Sequence, residues 1–168
     1  IYSQDNVAPA LQTPVKKVSS DNSTFGNSNT LSSTTANYYY RIDYPVLDTI
    51  PSYHFSSMVI QDALPKGADY VDSLKVTSVQ DGVNRTKWFT TSTTGDVIKL
   101  TATSAALSSN DFYGLTYRVT FKVKMDPTEI APTYNTSGKA TYTVKNTASV
   151  TVKRKSTTTT KNTGTVTT

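Results

Sequence analysis

The sequence predicts an all-β protein, an antiparallel sandwich of two sheets. Three observations carry this. First, of 168 residues 31 are Thr and 19 are Ser, and 11 Asp stand against a single Glu, Glu129. Thr, Val and Tyr fit the pleated surface of a strand, whereas Glu, Leu and Ala are the usual helix formers. Second, two stretches alternate strictly. Tyr117, Val119, Phe121, Val123 and Met125 interleave with Thr116, Arg118, Thr120, Lys122 and Lys124, and Val144, Asn146, Ala148, Val150 and Val152 interleave with Thr143, Lys145, Thr147, Ser149, Thr151 and Lys153. Period two means one face buried and one face wet. Third, turn signals separate some eight or nine strand candidates, the rhythm of a sandwich. The length suits one domain with a real core rather than two.

Taken in order, residues 1–13 show no period and read as a lead-in. Pro14–Val18 is a short strand. Residues 19–36, rich in Ser, Thr and Asn, read as a polar loop. Tyr38–Tyr44 alternates as a strand, and Pro45 and Pro51 bracket a crossing loop. Phe55–Asp62 follows and ends at the turn Leu64-Pro65-Lys66-Gly67. Tyr70–Val79 precedes an Asp81-Gly82 turn. Arg85–Thr90, with the only Trp at position 88, and Val97–Thr103 are further strands, and a turn or two of helix falls near Ser104–Asp111. The sandwich is expected over 14–153. Residues 154–168 form a basic, Thr-rich tail, read as a linker or as an edge strand added to a sheet.

Composition excludes several chemistries. Without Cys there is no disulfide, thiol nucleophile or Cys-bound zinc, and the lone His54 rules out a two-His metal site within the chain. No metal or cofactor is expected. The formal charge of +5 is uneven. Lys153, Arg154, Lys155 and Lys161 supply four of the 17 bases; removing them leaves 13 against 12 acids, a body of net +1. That near-neutral body argues against nucleic-acid binding. No apolar run is long enough to span a membrane, so no membrane contact by this chain is expected. The start at Ile1 reads as a piece of a larger protein whose signal and anchor lie elsewhere.

One residue breaks the pattern. Asn146 takes an inward position beside Val144, Ala148 and Val150, where an unpartnered carboxamide costs a few kcal/mol. In Pro14-Val15-Lys16-Lys17-Val18, alternation sends one lysine inward: Lys16 if it shares the face of Val18, Lys17 if it shares that of Val15. Asp62 ends a strand whose Met58 and Ile60 share its face. An amine, a carboxamide and a carboxyl could thus meet in an apolar core. Burial favours the neutral forms of Lys and Asp. A neutral amine is a nucleophile, and a carboxylic acid can polarise the carboxamide and shuttle a proton to departing ammonia. The product is a Lys–Asn isopeptide bond. The bland alternative is two surface lysines, a turn-capping Asp62 and an Asn146 that satisfies a backbone group.

The succession Pro14-Val15-Lys16-Lys17-Val18, Asn37-Tyr38-Tyr39-Tyr40, Val59-Ile60-Gln61-Asp62-Ala63-Leu64-Pro65-Lys66-Gly67 and Lys145-Asn146-Thr147-Ala148-Ser149-Val150 resembles the isopeptide-forming domains of Gram-positive surface adhesins and pilus backbone proteins. These include the C-terminal modules of the streptococcal antigen I/II family and the collagen-adhesin-type domains. The resemblance implies an Ig-like sandwich and a first-strand Lys bonded to last-strand Asn146, with Asp62 as catalytic acid. The Pro-x-Lys-x-Val spacing points to Lys16, which is preferred; alternation with Val15 points to Lys17. Glu129, beside Pro127 in a loop-like stretch, is a poor candidate for the acid. It further implies a structural rather than enzymatic role on an extracellular, cell-wall-anchored protein. The partners would be neighbouring domains of the same surface protein or pilus subunits, with a host ligand as a further option.

Two other function classes stay open. A ligand-binding adhesin head of the same sandwich class would use Tyr38, Tyr39, Tyr40, Tyr44, Tyr53, Tyr113 and Tyr134 as an exposed aromatic patch. A carboxylate-pair hydrolase has no local motif to support it. The sequons at Asn22, Asn84 and Asn135 are expected by chance in a chain so rich in Ser and Thr.

Overall fold

The alternating stretches form the centres of two antiparallel sheets in this computed structural model, which describes residues 7–168. The strands are β1 (Val15–Ser19), β2 (Asn37–Val46), β3 (Ser57–Ala63), β4 (Ala68–Ser78), β5 (Phe89–Ser92), β6 (Val97–Ala102) and β7 (Leu115–Met125). After these come β8 (Thr133–Tyr134), β9 (Ala140–Thr141), β10 (Lys145–Asn146), β11 (Ser149–Arg154), β12 (Thr157–Asn162) and β13 (Val166–Thr167). Among the described residues a single short α-helix, α1 (Ser104–Ser108), sits between β6 and β7. One sheet has the order β1-β2-β7-β4 and the other β12-β11-β3-β6-β5, while β10 pairs with β13 and β8 with β9.

The inward positions make one core. Ile42, Val119, Phe121 and Val123 from the first sheet and Met58, Ile60, Ile98, Leu100, Val150 and Val152 from the second are all buried. The outer face of the first sheet carries Arg41, Asp43, Arg118 and Lys122, with Arg118 gripping Asp43 through two bonds of 2.9 Å. On the edge strand β12, Lys161 occupies an inward register position opposite Val150, a charge placed where it discourages further edge pairing.

Several element boundaries differ from the sequence reading. β1 is Val15–Ser19 rather than Pro14–Val18. β2 runs through Pro45 to Val46, so Pro45 is a strand residue paired with Thr116 and not part of a loop. β1 has already ended at Val15 opposite Asp43, so no donor is needed on that edge of Pro45. β3 starts at Ser57, because Pro51–Tyr53 forms a 3-10 turn ahead of it. Arg85–Trp88 is not strand: Thr86–Trp88 is a 3-10 turn and only Phe89 onward is extended. The helical stretch is α1, capped by the Thr103 hydroxyl accepting from Ala106 N–H at 3.1 Å, then a 3-10 turn at Asn110–Phe112. The last alternating stretch is two strands. Inward burial of Val144, Asn146, Ala148 and Val150 persists across the join, but the pairing partner changes from β13 to β12. At the change, Thr163 bonds both the N–H and the C=O of Ala148 at 2.9 Å.

Residues 154–168 are part of this framework. β12 is the edge of the second sheet and β13 lies against β10. At the other terminus, residues 1–6 of the lead-in lie outside the described residues, while the Arg154 guanidinium donates to the Pro9 carbonyl at 2.8 Å and Leu11 packs against the core.

A buried amine, carboxyl and carboxamide as the candidate functional site

Lys16 is the second residue of β1, paired with Ile42. Register puts it on the inward face with Val18, and it is 2% exposed. Lys17 falls on the other face and donates to the Asn27 carboxamide oxygen at 2.7 Å; it does not enter the core. Asp62 comes from the second sheet, on β3 opposite Ile98 and inward like Met58 and Ile60, with 1% exposure. Asn146 is on β10, opposite Val166, and is 3% exposed.

These three side chains converge on one oxygen. The Lys16 ammonium forms a buried ion pair with Asp62 Oδ2. Asn146 Nδ2 donates to the same Oδ2 at 3.2 Å. The other carboxyl oxygen, Asp62 Oδ1, is buried without a hydrogen-bond partner. Asn146 Oδ1 accepts from the Thr147 N–H at 2.9 Å. The Lys16 nitrogen lies 3.9 Å from the centre of the Tyr40 ring and 5.6 Å from that of Phe121.

Burial is the dominant influence on Lys16. Loss of water pulls its pKa below the ordinary 10.5, against the opposing charge and hydrogen bond of Asp62. Burial also pushes the Tyr38 hydroxyl up to about 12 and Tyr40 higher still. Those two hydroxyls lie near each other, and Tyr40 lies near Thr168, yet neither makes a hydrogen bond of ordinary geometry. The site is thus a water-poor pocket that holds an amine, a carboxyl and a carboxamide within reach of one another.

Glu129 is away from this cluster. It is exposed, and its Oε1 accepts from Gly67 N–H at 3.4 Å. With Asp69 and Asp126 it forms an acidic group whose oxygens lie within 4.8 Å of one another. Desolvation and then the neighbouring Asp96, Glu129 and Asp126 raise the Asp69 pKa. The tyrosines do not make an exposed patch: Tyr38, Tyr40, Tyr44 and Tyr113 are buried, Tyr39 and Tyr53 are half-buried and Tyr134 is exposed. Sequence reasoning missed that β13 covers Asn146. The available signal was Val166, an apolar residue between Thr165 and Thr167 that is 1% exposed.

No family model and no curated protein sequence matches the chain. Solved structures do. The major pilin subunit BcpA of Bacillus cereus superposes with a TM-score of 0.65 at 17% identity, over 92% of this chain and 39% of that one. The N-terminal domain of the Streptococcus gordonii adhesin Sgo0707 gives 0.63 at 19% identity, over 93% and 32%. The Corynebacterium diphtheriae major pilin SpaA, whose structure points to a modular pilus assembly with stabilizing isopeptide bonds, gives 0.56 at 21%, over 84% and 32%. The chain spans between 32% and 39% of the length of these proteins. It has the Ig-like sandwich fold of Gram-positive pilin and adhesin domains.

Proposed function

We propose that this chain is a structural module of a cell-wall-anchored Gram-positive adhesin or pilin, locked by a spontaneous Lys16–Asn146 isopeptide bond with Asp62 as the catalytic acid. The observation that carries this reading is the convergence of Lys16, Asp62 and Asn146 on Asp62 Oδ2 inside the core. No simpler structural need calls for a lysine at 2% exposure in an otherwise apolar strand face.

The chemistry balances without any added reagent. The Lys16 ammonium passes a proton to Asp62, and the neutral amine attacks Cγ of Asn146. Asp62 gives that proton to the departing nitrogen, which already donates to it. It then takes the second proton that the attacking nitrogen sheds on becoming an amide and passes it to the released ammonia, which leaves as ammonium. The Thr147 N–H, on Asn146 Oδ1, stabilises the charge that develops on that oxygen. One C–N bond forms between Lys16 Nζ and Cγ, the bond from Cγ to Nδ2 breaks, and one ammonia leaves. No oxidation state changes. Fixed geometry supplies most of the rate.

The product would tie β1 to β10 and so join the first sheet to the C-terminal part of the sandwich. Most of the domain would then lie inside a covalent loop that pulling on the ends cannot extend. The chain-entropy model gives on the order of 5 kcal/mol for a loop of this size. Such a lock suits a chain without Cys exposed to flow and proteases. Its partners are neighbouring modules of the same surface protein or pilus.

Intact mass of the purified chain tests this. We expect one ammonia less than the sequence mass, and a branched tryptic peptide joining the Lys16 and Asn146 segments. Asp62→Asn, which keeps the shape but cannot carry the proton, should show the full mass. A wild-type mass equal to the sequence mass overturns the reading.

A further inference from the structure

Asn146 has an unusual strand environment. β10 contains only Lys145 and Asn146 and pairs with neither main sheet; its ladder partner is β13. β13 in turn bonds a loop that follows β1. Thr167 N–H donates to the Asn27 carbonyl and Asn29 N–H to the Thr167 carbonyl, both at 3.0 Å. That loop returns to β1 through Val18 and Gly26, which exchange bonds of 2.8 and 2.9 Å. Val144 and Thr168 exchange a further pair at 2.9 Å on the far side. A continuous backbone path therefore runs from the strand of Lys16, through residues 26–29 and β13, to the strand of Asn146. Val166 is 1% exposed and lies opposite Asn146.

We propose that β13 is the closing strand of the crosslinking site: its docking brings Asn146 into register with Lys16 and shuts water out, so the bond forms only once residues 166–167 are in place. This rests on the crosslink reading above and adds a positioning element to it. β13 lies outside the covalent loop of residues 16–146, so it contributes to making the bond and not to the ring the bond closes. A chain emerging N-terminus first could not lock prematurely. The two reacting strands would remain unaligned until the last strand of the sandwich arrived, and a partly folded domain would stay free to correct its pairing.

The test is the rate of ammonia loss on refolding from denaturant, followed by intact mass. Thr167→Pro removes the N–H that bonds Asn27, and Val166→Thr keeps the strand but drops the apolar plug. Each is also made in the Asp62→Asn background, where no bond forms, so that melting temperature reports folding alone. A control is a core substitution near the start of β7, Tyr117→Phe, which removes the hydroxyl bonded to the Phe112 carbonyl and does not touch β13. We expect the β13 variants to lose ammonia roughly a hundredfold more slowly than wild type, the scale of an ångström-sized misplacement. Tyr117→Phe should stay near the wild-type rate at comparable melting temperature, and Val166→Ile should retain it. Wild-type rates in Thr167→Pro and Val166→Thr, or equal slowing in the control, overturn the role of β13. A wild-type chain that never loses ammonia refutes the crosslink instead.

Discussion

The two ends of β7 bury tyrosines in opposite ways. At its start, Tyr117 donates to the Phe112 carbonyl at 2.6 Å, while Tyr113 donates to the Leu107 carbonyl at 2.7 Å and accepts from Phe55 N–H at 2.8 Å. Phe112 stacks on Tyr117 with ring centres 4.8 Å apart. Both of these hydroxyls have a partner. Toward its end, Tyr38 pairs in register with Val123 and Tyr40 with Phe121, and both hydroxyls, with Asp62 Oδ1, lack one. A saturated polar cluster stabilises and does nothing else. An unsaturated one costs stability, and here it surrounds the amine, carboxyl and amide. The cost of the unsaturated end is offset by packing at the other end and, in our proposal, by the bond it would make.

The largest expected effect breaks this comparison at the unsaturated end. Asn146→Ala should lower unfolding free energy by on the order of 5 kcal/mol, read by denaturant titration against wild type; an unchanged midpoint would show that no covalent lock contributes. Next comes the saturated end. Tyr113→Phe leaves the Phe55 N–H and Leu107 carbonyl without that hydroxyl and should cost about 1–3 kcal/mol. A neutral result would mean that the aromatic end is held by packing alone.

A pH titration sharpens the contrast. In Asn146→Ala the Lys16 amine stays free, with a pKa lowered by burial from 10.5. Between that lowered value and 10.5 the unfolded chain binds a proton that the folded chain has released. Stability therefore rises with pH across this window, by at most about 1.4 kcal/mol per unit. Under the proposed crosslink the wild type would have an amide there and should lack that part of the slope, so parallel curves for the two proteins would count against the assignment. The smallest effect is Tyr40→Phe. It keeps the ring beneath Lys16 and deletes a buried hydroxyl without a partner, so stability should not fall and should rise by up to about 1 kcal/mol. A loss like that of Tyr113→Phe would show that the hydroxyl is bonded after all.

Much of the fold was legible because period-two burial is a local property. β7 and the inward series Val144, Asn146, Ala148 and Val150 follow from side-chain direction in an extended chain. Arg85–Trp88 misled, since nothing local separates a 3-10 turn from a short strand there. The split at Thr147–Ala148 was invisible because alternation runs through it; only the partner changes. Lys16 and Lys17 could not be separated by parity, since β1 has valines on both faces, at Val15 and Val18. Its pairing with Ile42 and Arg41 decided the matter.

The sequence alone established an all-β chain, an inward Asn146, an inward Asp62 and a choice between two lysines. Those are statements about which way a side chain points, and backbone sterics set them within a few residues. That Lys16 and Asp62, 46 positions apart, and Asp62 and Asn146, 84 apart, share one oxygen was decided only by the tertiary structure. So was the place of β13 between β1 and β10. Contacts at such separations depend on which strands pair across the whole sandwich to bury the apolar faces of both sheets, and no local pattern encodes that choice.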